Sequence, residues 1–296
     1  MRTVFLGTSE FAVAVLRRLA ASPHRPELVL TRPDRPRGRG RHEAPPPAAE
    51  AARELGIEVE QPESVNDEPT RARLAELGPE AICVCAFGAL IKEPLLSDYM
   101  MLNVHPSLLP RWRGAAPIER SIMAGDAETG VSIMKVTAGL DSGPVCAQGR
   151  EPITPEDTYG TLAPRLAELG GGLLINTLDH RPRCTEQDDE LATYAEKIIS
   201  EDRRLDPARP APELERVVRA LNPHIGAWLQ APDGTRLGVL VARARPGDDQ
   251  RPGQVIVLDG RIPALQCARG TLELVAVKPE GRRAMSGEDW LRGWSR

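Results

Sequence analysis

The chain has 296 residues, 41% of them hydrophobic and 27% charged, so it reads as an ordinary soluble globular protein with room for two domains. No apolar run is long enough to span a bilayer, which excludes a helical membrane protein, and the net charge of −4 does not announce a bulk nucleic-acid binder. Five cysteines, an odd number and widely scattered, argue against a disulfide framework and for a reducing cytoplasm.

Thr3 to Gly7 is a short apolar run ending in glycine, followed by helical spacing from Phe11 to Leu19 with Ser9 as N-cap. The chain therefore starts with a strand, a turn and a helix, and Met1 to Gly7 does not read as a signal peptide. Glu27 to Leu30 reads as a second strand, Arg32 to Pro47 as a long loop, Ala48 to Leu55 as a helix and Ile57 to Glu60 as a strand. Thr70 to Leu77 is helical, and Ala81 to Ala86 is a continuous buried strand. Strands alternating with helices imply a doubly wound, mostly parallel α/β sheet. Met101 to His105 adds a strand, Ala115 to Ala124 a helix, and Val131–Val136 with Val145–Gln148 a strand pair. Thr158 to Leu178 is a long helical pattern, loosened at Gly170, Gly171 and Gly172.

From His180 the pattern turns polar, with a short helix expected over Thr193 to Ser200. A helix at Pro212 to Leu221 is ended by Asn222 and Pro223. Short strands then follow at 227–230, 237–242, 255–258, 262–267 and 272–277, which fits a small OB-like β-barrel. The expected organisation is a first domain over residues 1–180, a linker over 181–204 and a barrel domain over 205–296.

Charge is unevenly spread. The last 92 residues carry a formal +3 and the first 204 carry −7, yet the loop from Arg32 to Arg41 holds Arg35, Arg37, Arg39 and Arg41 as well as its opening arginine. A basic loop of this kind can contact phosphates on an acidic protein.

The segment Leu102 to Gly114 is the densest in chemistry-bearing residues. Asn103 and His105 sit two apart on a strand, so both side chains share one face, and they lie at its carboxyl end, where open α/β sheets bind ligands. Taken alone, an Asn-x-His is commonplace; the thirteen-residue run, stiffened by Pro106 and Pro110, is not. Downstream, Asp141 lies in a loop with Gly139 and Gly143, which is either a plain hairpin turn or a carboxylate that reaches His105 and sets its tautomer and charge. Cys83 and Cys85 alternate with Ile82 and Val84 and lack zinc-site spacing, so they read as packing, and no metal site is expected.

Asn103, His105 and Asp141, with the Ser107-Leu108-Leu109-Pro110 signature, resemble the 10-formyltetrahydrofolate-dependent formyltransferases. Leu109 to Ile118 is the most specific match, and within that family the members acting on methionyl-tRNA are similar over nearly the whole chain. The sequence departs from the pattern at Pro106, where a small residue is usual, at Lys92, and in a short 180–188 segment. The resemblance implies transfer of a formyl group from 10-formyltetrahydrofolate to the amino group of initiator methionyl-tRNA, through a tetrahedral intermediate. It implies Asn103, His105 and Asp141 as catalytic residues. Phe87, Gly88 and Leu90, with Ser107, Leu108, Leu109 and Pro110, are the implied folate-facing set. Arg35, Arg37, Arg39 and Arg41 are the implied tRNA contacts, with Arg39 foremost. A monomer in the cytoplasm is expected. A formyltransferase acting on a sugar nucleotide or other small amine would share the trio but need neither the arginine loop nor the barrel. An RNA-binding protein on the same scaffold would need no intact trio.

Overall fold

A computed structural model describes residues 1–37, 42–231, 233–247 and 251–294. The chain divides into two compact units that interleave in sequence. The first takes Met1–Gly114, Glu128–Pro152 and Ala163–Tyr194; the second takes Ala115–Ala127, Ile153–Leu162 and the chain from Ala195 onward.

In the first unit, β1 (Thr3–Gly7) leads into α1 (Glu10–Ala20), whose N-cap Ser9 accepts from the Ala12 amide. Next come β2 (Pro26–Leu30), a small hairpin of β3 (Arg35–Arg37) and β4 (His42–Ala44), α2 (Pro47–Glu54), β5 (Glu58–Glu60) and α3 (Glu68–Leu77). Asp67 caps α3, and Gly78 ends it in the left-handed conformation. The hairpin is a correction to the long loop expected from Arg32 to Pro47: Arg35 pairs with Ala44 and Pro36 with Glu43. Proline restricts the residue before it to extended backbone, so Arg32 and Arg35 each precede a proline and favour a strand.

The chain continues through β6 (Ala81–Cys85), α4 (Leu95–Asp98), β7 (Met101–His105), β8 (Arg113–Gly114), α5 (Pro117–Ala124), β9 (Glu128–Lys135), β10 (Val145–Pro152) and α6 (Tyr159–His180). The sheet order is β10-β9-β7-β6-β1-β2-β5. The strands from β5 to β7 run parallel; β9 and β10 return antiparallel. The expected doubly wound, mostly parallel architecture is the one found. Strands β1 and β6 are buried along their whole length, as central parallel strands require. Val4, Leu6, Leu28, Leu30, Leu74 and Ile82 form one core on this sheet.

Helix α6 is unbroken through its three glycines, contrary to the loosening expected there. A Cβ at Gly170 would come within 2.7 Å of Val104 Cγ1, and one at Gly171 within 2.9 Å of Arg18 Cδ. The glycines let the helix approach its neighbours closely, which repays their cost of about 1 kcal/mol each in a helix interior.

The expected helix at Thr193–Ser200 is instead β11 (Tyr194–Ala195) with turns around it. Its backbone groups are claimed by distant partners: the Thr193 carbonyl accepts from the Arg113 amide at 2.9 Å, and the Ala195 carbonyl from the Ala115 amide at 2.8 Å. In the second unit, α7 (Ala211–Leu221) precedes β12 (Ala227–Gln230), β13 (Arg236–Arg245), β14 (Val255–Leu258), β15 (Ile262–Gln266), β16 (Thr271–Pro279), β17 (Met285–Ser286) and α8 (Gly287–Trp294). The sheet order is β12-β13-β16-β15-β14, antiparallel throughout, with β17 on β16. The five expected strands are all present; α8 was not foreseen. Its Trp290 is buried in the core that the sheet shares with α7.

Cys146 and Cys184 form a disulfide, which corrects the expectation drawn from an odd and scattered cysteine count. Cys83, Cys85 and Cys267 are free and buried. Burial pushes the Cys83 thiol up to about 12, in keeping with an inert packing role.

Candidate active site

Strand β7 carries Asn103 and His105 at its carboxyl end, held between β6 and β9. Alternation puts both side chains on one face. His105 is 4% exposed, and its Nε2 lies 2.8 Å from the Trp112 carbonyl oxygen. A carbonyl only accepts, so Nε2 carries the proton and donates. That leaves Nδ1 for chemistry, and Asp141 Oδ2 stands 3.7 Å from it. The Asn103 amide, half-buried, bonds to no described residue through its side chain. It is a donor held on a strand with nothing to donate to among the described residues.

The loop after β7 is built to fold back on itself. The Ser107 hydroxyl donates to the Arg111 carbonyl at 2.6 Å, and the Ser132 hydroxyl donates to the Ser107 carbonyl at 2.7 Å. The Leu109 amide donates to Ser132 Oγ, and Gln148 Nε2 donates to the Leu109 carbonyl. The return places Trp112 with φ +65° and its carbonyl over His105. Asp141 is likewise left-handed, φ +46°. Non-glycine residues in that region cost on the order of 1–2 kcal/mol each, and such strain collects at functional sites. Gly143 follows two residues later, where any Cβ would collide with the Lys135 carbonyl oxygen.

Asp141 is braced by Arg113 and Gly114, from the dense Leu102–Gly114 segment, and by Gln187, to which the sequence assigns no role. The Gly114 amide donates to its Oδ2 at 2.9 Å. Gln187 Nε2 donates to the Asp141 and Gly143 carbonyls, both at 2.8 Å, while Arg113 Nε donates to Gln187 Oε1 at 2.9 Å. Arg113 also pairs with Asp189 at 2.7 Å. No local pattern marks Gln187; only its place in a polar stretch that must pay back buried backbone carbonyls could have pointed to it.

The expected folate-facing residues divide. Ser107 and Leu109 are buried and serve the loop itself. The Phe87 side chain lies in the core of the first unit, and its carbonyl accepts from Thr8 Oγ1 at 2.8 Å. Gly88 is exposed at φ +71° with open space at its Cβ position, and Leu90 is 65% exposed. Leu108 and Pro110 are half-buried. A cavity of about 340 Å³ is lined by Leu109, Pro110, Gln148 and Gln187 among others, but Asn103, His105 and Asp141 do not line it. Of the basic set, Arg35 is exposed on β3, and Arg37 lies on the same strand. Arg39 and Arg41 lie outside the described residues. Among the described residues no group of three or more His, Cys, Asp or Glu could hold a metal ion, and no helix is long and apolar enough to cross a membrane.

The formyl transferase family model matches residues 1–178, and the model for the formyl transferase C-terminal domain matches residues 197–295. The chain belongs to the formyl transferase family. Relatives named methionyl-tRNA formyltransferase cover almost the whole chain. The protein of Paracoccus denitrificans is 43% identical over 296 residues, 99% of this chain and 97% of its own length. That of Methylococcus capsulatus is 43% identical over 301 residues, 98% and 96% of the two chains. Among solved structures, the methionyl-tRNA formyltransferase of Clostridium thermocellum aligns with a TM-score of 0.60 at 17% identity, covering 84% of this chain and 95% of that one. The N-formyltransferase of Helicobacter canadensis, in complex with folinic acid and dTDP-3-aminofucose, aligns at 0.67 with 14% identity over 93% and 98%. Both alignments establish the shared fold of the formyl transferases.

Proposed function

We propose that the chain transfers the formyl group of 10-formyltetrahydrofolate to the free α-amino group of methionine on initiator tRNA. The observation that carries this reading is the approach of the Asp141 carboxylate to His105 Nδ1 at the end of the strand that bears Asn103, whose amide has no partner among the described residues. The full-length likeness to proteins named methionyl-tRNA formyltransferase supports the choice of acceptor.

In the reaction, the uncharged amine attacks the formyl carbon and a new C–N bond forms. The carbonyl oxygen takes up negative charge, and Asn103 donates to it; His105 becomes a second donor once its Nδ1 has taken up a proton. The Nδ1–carboxylate pair accepts the proton that the amine loses. Collapse breaks the bond from the formyl carbon to N10 of the folate, and a proton returns to that nitrogen. Recruiting Asn103 breaks no hydrogen bond, since its amide has no partner among the described residues.

We assign folate contacts to Gly88 and Leu90, which are exposed, and to the Leu108–Pro110 stretch, with Phe87, Ser107 and Leu109 shaping the wall from behind. We assign tRNA phosphate contacts to Arg35, Arg37, Arg39 and Arg41, in a monomer working in the cytoplasm. Guanidinium–phosphate binding of this kind weakens steeply as salt rises.

The deciding experiment supplies 10-formyltetrahydrofolate with charged initiator tRNA, uncharged initiator tRNA, free methionine or an amino-sugar nucleotide. N-formylation of the charged initiator alone supports the proposal. Product from the sugar nucleotide but not from the tRNA refutes it.

A further inference from the structure

Gln187 lies in neither a helix nor a strand and is 46 residues from Asp141, yet its side chain spans the loop that presents the carboxylate. We propose that Gln187, held by the buried Arg113, is a positioning residue for Asp141. The inference rests on the catalytic reading of Asp141 given above.

Both hydrogens of the Gln187 amide are committed: Nε2 donates to the carbonyls of Asp141 and Gly143. Its Oε1 accepts from Arg113 Nε. Two carbonyls on one side and a guanidinium on the other admit one amide orientation only, so donor and acceptor ends are unambiguous. The Arg113 side chain is 4% exposed, and its second contact, to Asp189, keeps its charge paired.

The adjoining peptide grips the same residue. Gly114, directly after Arg113, donates its amide to Asp141 Oδ2. The two-residue strand β8 thus holds Asp141 twice: at the carboxylate through Gly114, and at the main chain through Arg113 and Gln187. A brace is needed because the loop is intrinsically loose. It carries Gly139 and Gly143 and places Asp141 in a left-handed conformation that an isolated chain disfavours. Further along, the Val145 and Thr185 amides each donate to the other's carbonyl at 2.8 Å, and the Cys146–Cys184 disulfide joins their neighbours. Segment 184–187 is therefore laid against 141–146, and Gln187 is its contact nearest the reacting groups.

Two substitutions separate positioning from bulk stability. Gln187→Glu keeps an acceptor for Arg113 but sets a carboxylate against two carbonyls; Gln187→Met keeps the volume and loses every hydrogen bond. Both are compared in the full-length protein with charged initiator tRNA, on the native and on the Asp141→Asn background. The expected result is a fall in kcat of about tenfold to a hundredfold, the scale for a misplacement of about 1 Å at a reacting group. KM for either substrate should move by less than about threefold, and the limbs of the pH–rate profile should shift as the carboxylate–imidazole spacing changes. On the Asp141→Asn background the same substitutions should cost little more, because they act through that carboxylate. Rates within twofold of the parent for both variants, or equal losses on both backgrounds, overturn the inference. If Asp141→Asn itself keeps the parent rate, the catalytic reading of Asp141 fails and takes this inference with it. Loss there without loss at Gln187 removes only the positioning role.

Discussion

The Trp112 carbonyl fixes the imidazole of His105 from seven residues away, accepting from Nε2 at 2.8 Å. The ring cannot turn over without giving up that hydrogen bond, so Nδ1 stays aimed at Asp141. The loop from Pro106 to Arg111 exists, in this sense, to deliver one backbone oxygen.

Asp141→Asn should preserve this geometry and remove the charge. The carboxamide can still accept from the Gly114 amide through its oxygen. We expect kcat to fall about a hundredfold or more, the usual scale for an essential proton acceptor, with a thermal midpoint near that of the parent. Steady-state formylation and differential scanning calorimetry on the same preparations check both halves.

Asn103→Ala tests the second donor. Loss of a single oxyanion donor costs about 3–4 kcal/mol of barrier, or about a hundredfold to a thousandfold in kcat. Stability should hold, because the amide bonds to no described residue and no partner is orphaned. A variant that loses stability and activity in parallel would show Asn103 to be a packing residue instead.

The Cys146–Cys184 bridge closes a loop of 38 residues. By the chain-entropy relation such a cross-link contributes about 4 kcal/mol, with measured values commonly lower. Cys146→Ser should lower the urea midpoint accordingly, and a thiol reductant should reproduce the effect on the parent but not on the variant. Peptide mapping without reduction should recover the linked pair.

Tyr159 stacks on the His224 ring at 3.6 Å, and His224 bonds Glu119 at 2.9 Å. Burial, with a smaller contribution from Glu119, pushes the Tyr159 phenol from 10.0 up to about 12. The folded state therefore holds that proton more tightly than the unfolded chain does. The associated stability, up to about 2–3 kcal/mol, is whole below pH 10 and lost as pH rises towards 12. The difference in unfolding free energy between the parent and Tyr159→Phe, followed across that window, should carry the dependence. A flat difference would contradict it.

Much of this was legible in the chain. The run Met101 to His105 was bounded correctly because a fully buried central strand must be continuous and apolar except where it meets a ligand, and its two polar residues fall on one face. The helix start marked by Ser9 follows local capping chemistry. What escaped was nonlocal. Gln187 and Arg113 acquire meaning only when residues 74 apart meet. The disulfide hid in an odd count because the other three thiols are free and buried. The short strand at Tyr194 forms where local propensity favours a helix, because pairing with the distant β8 overrides it. Phe87, which the resemblance implies is folate-facing, packs in the core of the first unit.

Val104 separates the two polar residues of β7 and points the other way, where a Cβ added at Gly170 of α6 would stand 2.7 Å from its Cγ1, already a collision. The depth at which that strand lies is thus set from the rear of the sheet. One methyl on a helix that touches no reacting group would shove Val104 forward, tilt the backbone beneath Asn103 and His105, and detune the chemistry from behind.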